Sequence, residues 1–276
     1  VSFGIRFDGN NYNDNTSNLL NQSSPRLSSS YTLTETTAIN TGIGRYFQQA
    51  AYTTLGFRNN VGELVNYSSV KYIGLNQYNL GIEQKFTDKI LLSIEGFYKD
   101  YFQYPIDIIN GSSLANQGAD YAVVGASSVE FTGKGRAVGF EVLNRWNMNT
   151  LKLLASYTYV RSLFTDINGD YIASSWDSKN LFTITGTKEL KPNWRIGFKW
   201  RYVGGLPYTP YDLETSSNVQ AWNANGQAYI DYSQLNSERY LDFHQLDFRV
   251  DKNFFFKKWA LMIYLDIQNA YNFKNK

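Results

Sequence analysis

The chain has 276 residues and a formal net charge of +2 with only 18% charged residues, so it has no global field to recruit nucleic acid or an acidic substrate. It contains no Cys, one His and two Met, which excludes disulfides and thiolate metal centres, while aromatics reach 17% and Tyr alone supplies 22 residues. No stretch approaches the ~20 apolar residues of a transmembrane helix; the longest apolar run is Trp259–Leu265.

Period-two alternation begins at once and predicts eleven strands. Phe3, Ile5 and Phe7 alternate with Gly4, Arg6 and Asp8. Leu27, Tyr31 and Leu33 alternate with Arg26, Ser28, Ser30 and Thr32. A glycine-rich strand is predicted over 37–48, then one around Tyr78, Leu80, Ile82 and Phe86. A longer strand covers 89–104. Val138, Phe140 and Val142 alternate with Gly139 and Glu141, and Leu151 to Tyr159 alternate with Lys152, Ser156 and Thr158. Phe182 and Ile184 mark the eighth strand. Residues 194–202, 240–256 and 259–272 complete the set.

The connections alternate short and long. Short turns fall near 34–37, 87–89, 147–150, 191–193 and 256–258, and long loops cover roughly 9–23, 49–72, 105–132, 165–178 and 205–238. Antiparallel strands joined in this way put all short turns at one end and all long loops at the other, as in transmembrane β-barrels. A soluble sandwich is the competing reading. It must fit large aromatics between sheets only ~10 Å apart and leaves the loop alternation unexplained.

Residues 194–202 show which face points out. Trp194, Ile196, Phe198, Trp200 and Tyr202 occupy one face; Arg195, Gly197, Lys199 and Arg201 occupy the other. On the last predicted strand Trp259 and Tyr271 stand twelve steps apart, ~40 Å along the strand and about 30 Å after a ~40° tilt, enough for both to reach the aromatic girdles of a ~25 Å apolar band. Trp194, Trp200, Tyr202, Trp259 and Tyr271 are therefore the predicted lipid girdle. Arg6, Arg26, Glu83, Glu95, Glu141, Arg195, Arg201, Asp247, Arg249 and Asp266 are predicted on the lumen face.

Several local motifs carry a further resemblance. They are Ser24-Pro-Arg-Leu27, Gly42-Ile-Gly-Arg-Tyr-Phe-Gln48, Glu95-Gly-Phe-Tyr-Lys-Asp-Tyr101, Gly133-Lys-Gly-Arg-Ala-Val-Gly-Phe-Glu141, Gly204-Gly-Leu-Pro-Tyr-Thr-Pro210, and Leu246–Lys252 with Tyr264–Asn272. In their order and spacing they resemble the C-terminal half of the barrel of a TonB-dependent outer-membrane receptor of the Bacteroidetes type, over nearly the whole chain. The resemblance implies an all-β, transmembrane antiparallel barrel of 22 strands around a plug, of which residues 1–276 supply about eleven. The plug, the first half of the barrel and the last strand are then expected outside this sequence. Both outer strands would otherwise keep open edges, which lipid does not tolerate.

The resemblance also implies a function: energised import of a scarce or bulky ligand across the cell outer membrane of a Gram-negative organism. Its implied partners are TonB with its inner-membrane energising proteins, reached through the plug, outer-membrane lipid and lipopolysaccharide, the ligand, and a surface lipoprotein; nucleic acid is not among them. The competing readings are a passive channel or a secretion or assembly barrel, and an outer-membrane enzyme. The lone His244 shares a face with Leu246 and Phe248 and reads as an interfacial residue with no second His to build a metal site. Gly133-Lys-Gly135 lacks the third glycine and the helix of a nucleotide fingerprint. No catalytic residue, metal ligand or cofactor is assigned. Loop aromatics are the candidate ligand contacts, namely Tyr121, Trp176, Tyr208, Tyr211, Trp222 and Tyr229, because Tyr and Trp offer rigid amphipathic area.

Overall fold

A chain that alternates apolar and polar residues over long runs can satisfy its backbone only by pairing with itself. The computed structural model, which describes residues 1–118 and 125–274, shows that pairing. Its strands are β1 (Ser2–Phe7), β2 (Ser23–Thr34), β3 (Thr37–Gln48), β4 (Ile73–Thr87), β5 (Ile90–Asp107), β6 (Val129–Met148), β7 (Leu151–Thr165), β8 (Tyr171–Ala173), β9 (Lys179–Leu190), β10 (Trp194–Val203), β11 (Pro207–Tyr208), β12 (Glu238–Arg239), β13 (Phe243–Phe255) and β14 (Ala260–Ile267). Eleven of them form one antiparallel path in the order β1-β2-β3-β4-β5-β6-β7-β9-β10-β13-β14, with β8 attached to β7. They are the eleven strands predicted. The short β11–β12 ribbon stands apart in the longest loop.

Local chemistry makes the short turns. Thr34 Oγ1 donates to Thr37 Oγ1 at 2.9 Å, and the Lys89 N–H donates to Thr87 Oγ1 at 3.2 Å. Asn193 takes φ +62°, a left-handed conformation that asparagine tolerates. All the short turns join neighbouring strands at one end of the sheet, and the long loops gather at the other.

Register keeps the two faces distinct. Phe3, Leu27, Ile43, Tyr78, Tyr98 and Val138 stand opposite one another across six strands. All six are exposed, from 41% to 71%. The buried apolar residues lie elsewhere. Ala50, Leu55, Val70, Leu114, Val129 and Phe131 form a small core at the long-loop end, with Tyr12, Ile73 and Tyr104 against it. The greasy face of the sheet is therefore no core. In water its exposure would forgo about 25 cal/mol per Å² of burial, which lipid supplies instead.

Two strand predictions need correction. The last strand ends at Ile267 rather than 272. Asn269 and Asn272 take φ +51° and +53°, and the Asn269 N–H donates to Asp247 Oδ1 at 2.9 Å. The ladder thus gives way to a side-chain-capped turn, and Trp259 and Tyr271 do not bound one straight strand. β6 is far longer than residues 138–142, running through the glycine segment predicted to open it. A Cβ on Gly133 would lie 2.7 Å from the Tyr104 carbonyl, and one on Gly135 would lie 2.3 Å from the Phe164 ring. These glycines admit the register shift between Tyr101 and Tyr104 on β5 and the ring from β7.

Candidate functional site

The polar face carries every predicted lumen residue. Arg26 stands opposite Gly4 and Gly44, Glu83 opposite Ser93, Arg201 opposite Gln245, and Arg6 opposite Ser24. The face is divided by how its charges are paired. On the later strands the ions pair with one another: Arg249 Nε reaches Asp251 at 2.8 Å and its Nη1 lies 3.8 Å from Asp266, Arg201 lies 3.9 Å from Asp247, and Arg195 lies 4.0 Å from Glu189. On the earlier strands Glu95 and Glu141 face each other directly in the β5–β6 ladder. Among the described residues neither has a cation within ion-pair distance. Glu95 accepts only the Asn79 amide, at 2.7 Å. Like charges directly opposite in a sheet are destabilising.

The apolar face carries the predicted girdle. Trp194 sits beside the short turn with the Lys252 ammonium 4.9 Å from its ring centroid. Trp259 stacks on Phe256 at 3.9 Å beside the next turn. At the other end Trp200 Nε1 donates to the Tyr271 hydroxyl at 3.2 Å, and that hydroxyl is 2.7 Å from His244 Nδ1. The Tyr202 hydroxyl donates to Asp242 at 2.6 Å. Trp200, Tyr202 and Tyr271 thus give their polar tips a partner, as interfacial aromatics do. From Trp194 to Tyr202 is eight steps, ~26 Å along the strand and ~20 Å across a bilayer at ~40° tilt, close to the apolar band of such walls.

Above the wall the loops are stitched by buried polar side chains. Asn66 donates to the carbonyls of Thr54 and Ser127 and accepts the Val129 N–H, so one fully buried amide spends both donors and its acceptor. Asp177, also fully buried, accepts Arg239, Arg161 and the Ser162 N–H. Asn236 donates to the carbonyls of Asn116 at 2.9 Å and Ala173 at 2.7 Å. Asn66 thus ties the loop after β3 to the one after β5, and the Asp177 and Asn236 contacts tie together the loops that follow β5, β7 and β10.

A cleft of about 530 Å³ lies between those three loops. Trp176, Tyr208 and Tyr211 line it, as do Tyr232 and Tyr240. Tyr208 and Tyr240 pack at 4.5 Å. Trp222 and Tyr229 are not in its lining: Trp222 is on the helix Val219–Asn225, and the Tyr229 hydroxyl donates to the Ala221 carbonyl of that helix. Tyr121 lies outside the described residues. Sequence reading missed Asn116, Asn236, Asp177 and Arg239, each with a partner 62 to 120 residues away that carries no local signal.

An amphipathic antiparallel sheet with an aromatic-rimmed apolar face, charged opposite face, short turns at one end and long loops at the other defines an outer-membrane β-barrel wall. The family model described as TonB dependent receptor-like, beta-barrel matches residues 1–270, and the chain belongs to that family. The family is one of receptors and transporters, not of enzymes, and its members are outer-membrane barrels. The chain is similar in structure to the Pseudomonas aeruginosa receptor FpvA bound to heterologous pyoverdines (TM-score 0.61, 14% identity, 91% of this chain and 29% of that one). It is also similar to the ferric citrate transporter FecA in its unliganded form (0.61, 15%, 92% and 34%) and to the ferric-catecholate import receptor Fiu from E. coli K12 (0.59, 13%, 92% and 31%). The chain thus spans about a third of the length of these structures. No curated protein matches it in sequence.

Proposed function

We propose that this chain is the wall and outer vestibule of a receptor that imports a scarce or bulky ligand across the outer membrane of a Gram-negative cell, with energy transduced through TonB. In the whole receptor, further strands pair the free edges of β1 and β14, because lipid cannot satisfy them. A plug fills the polar side of the sheet. The observation that carries this reading is the Glu95–Glu141 pair, two facing carboxylates on the polar face without a cation of their own. A basic group of the plug completes them, and a pull relayed through TonB has to break that contact. The self-paired ions of β10, β13 and β14 need no such partner and form a polar wall along the transport path. Lipopolysaccharide and outer-membrane lipid meet the apolar face, and a surface lipoprotein can lie over the loops.

The test uses the whole receptor and the periplasmic domain of TonB. Immobilised TonB domain retains the receptor, and Glu95→Gln with Glu141→Gln loosens the plug, seen as faster protease cleavage of the plug in membranes. A receptor that TonB does not retain, and that passes solutes without energy, is the passive channel instead.

A further inference from the structure

We infer that the loop cleft binds an uncharged polyhydroxylated ligand, an oligosaccharide, rather than an iron chelate. This rests on the import reading and names the class of its cargo.

Two observations support it. First, none of the described side chains lining the cleft carries a charge. The charged residues next in sequence to its described lining are already engaged: Asp177 is buried between Arg239 and Arg161, Asp212 holds Thr215, and Asp231 holds Ser233 and Gln234. Ferric iron is a hard cation held by oxygen donors, and chelates built on carboxylate or catecholate oxygens are anionic; a site for them calls for Arg or Lys, which recognise such oxyanions. The cleft offers none.

Second, its wall is aromatic and open. Trp176 is 43% exposed and Tyr211 59%, although both stand in loops otherwise pinned by buried hydrogen bonds. Exposed flat rings on an ordered frame suit the apolar face of a sugar ring, and their polar tips suit its hydroxyls. The frame is set before a ligand arrives, which lowers the ordering cost of binding.

A peptide gains affinity by pairing with a free strand edge, and the two-residue strands β11 and β12 pair with each other.

The experiment uses the whole receptor, purified in detergent, on an array of neutral glycans of three to ten units, with ferric citrate, a ferric tris-catecholate and a library of neutral hexapeptides as competing probes. The expected result is retention of at least one neutral glycan that neither iron chelate displaces. Trp176→Ala and Tyr211→Ala each weaken it about tenfold or more, and Trp176→Phe stays within about threefold. All three variants keep the heat-modifiable mobility of the folded barrel. Retention of no glycan, displacement by a ferric chelate or a peptide, or alanine variants that bind as well as the parent would each overturn the inference. Binding to purified receptor needs no energy, so the two readings fail separately. A receptor that binds the glycan but does not import it through TonB refutes only the transport reading. One that imports a ferric chelate through TonB refutes only the ligand class.

Discussion

Arg239→Ala should release the longest loop from the barrel rim. Arg239 reaches the buried Asp177 carboxylate and also donates from Nη1 to the carbonyls of Asp177 at 2.5 Å and Gly205 at 2.8 Å. Breaking a fully buried ion pair by removing one partner costs roughly 3–5 kcal/mol. Here Arg161 and the Ser162 N–H stay with the carboxylate, and Arg239 is 27% exposed, so about half of that applies, roughly 2 kcal/mol. The lost bonds to two carbonyls that water can then reach add about 1 kcal/mol. A total of roughly 3 kcal/mol raises the open population of the loop on the order of 100-fold. Chymotrypsin cleavage after Tyr208, Tyr211 and Tyr229 in the whole receptor measures that population directly, provided cleavage is slow relative to reclosing. Cleavage within about threefold of the parent rate would refute the claim that this ion cluster pins the vestibule.

Other outcomes follow from the same geometry. Leu80, on the apolar face and 62% exposed, should tolerate Phe within about 1 kcal/mol, whereas Leu80→Arg should cost roughly 2–4 kcal/mol in reversible unfolding from bilayers. Equal effects of the two substitutions would place that face away from lipid. Asp242, just outside β13, accepts the Tyr202 hydroxyl and the Gly205 N–H, which hold its carboxyl below the usual carboxylate range. A carboxyl depressed in the folded state stabilises above its ordinary value of about 4 and loses that stabilisation as pH falls through the folded value. Hydrogen exchange around Gly205, corrected for intrinsic rates, should therefore be steady from neutral pH to about 5 and lose protection in stronger acid; Asp242→Asn should abolish the step. The 276-residue chain by itself should give no heat-modifiable, protease-resistant species, because among the described residues β1 and β14 each have an unpaired outer edge; such a band would show that the open sheet closes by itself.

The wall was legible in the sequence because its rule is local. Period two fixes a face whatever the partner strand, so Trp194 to Tyr202 and the charged residues between them were placed before any pairing was known. Register was not read from the sequence, and beside two of the short turns it shifts, at Thr32/Thr34 and Lys85/Thr87. The ends of strands were less legible. β14 stops because Asn269 turns left-handed and docks on Asp247, a contact set by a different strand. The cleft was half legible. Trp176, Tyr208 and Tyr211 stood out as loop aromatics, but Trp222 and Tyr229 looked the same in sequence and fold onto their own helix. Asp177, Asn116 and Asn236 gave no sign, because a buried polar residue is defined by the groups that satisfy it, and these come from three separate loops.

The orientation of β10 tests the central claim most directly. These 276 residues contain no Cys, so single cysteines can be placed along 194–202 of the whole receptor, with any cysteine elsewhere in it replaced by serine, and spin-labelled. In liposomes, labels at Ile196, Phe198 and Trp200 should collide with oxygen dissolved in lipid and be shielded from a water-soluble nickel complex. Labels at Arg195, Gly197, Lys199 and Arg201 should show the reverse or be shielded from both by the plug. A period of two with the opposite phase, or no period at all, would contradict a lipid-facing aromatic wall and the import function built on it.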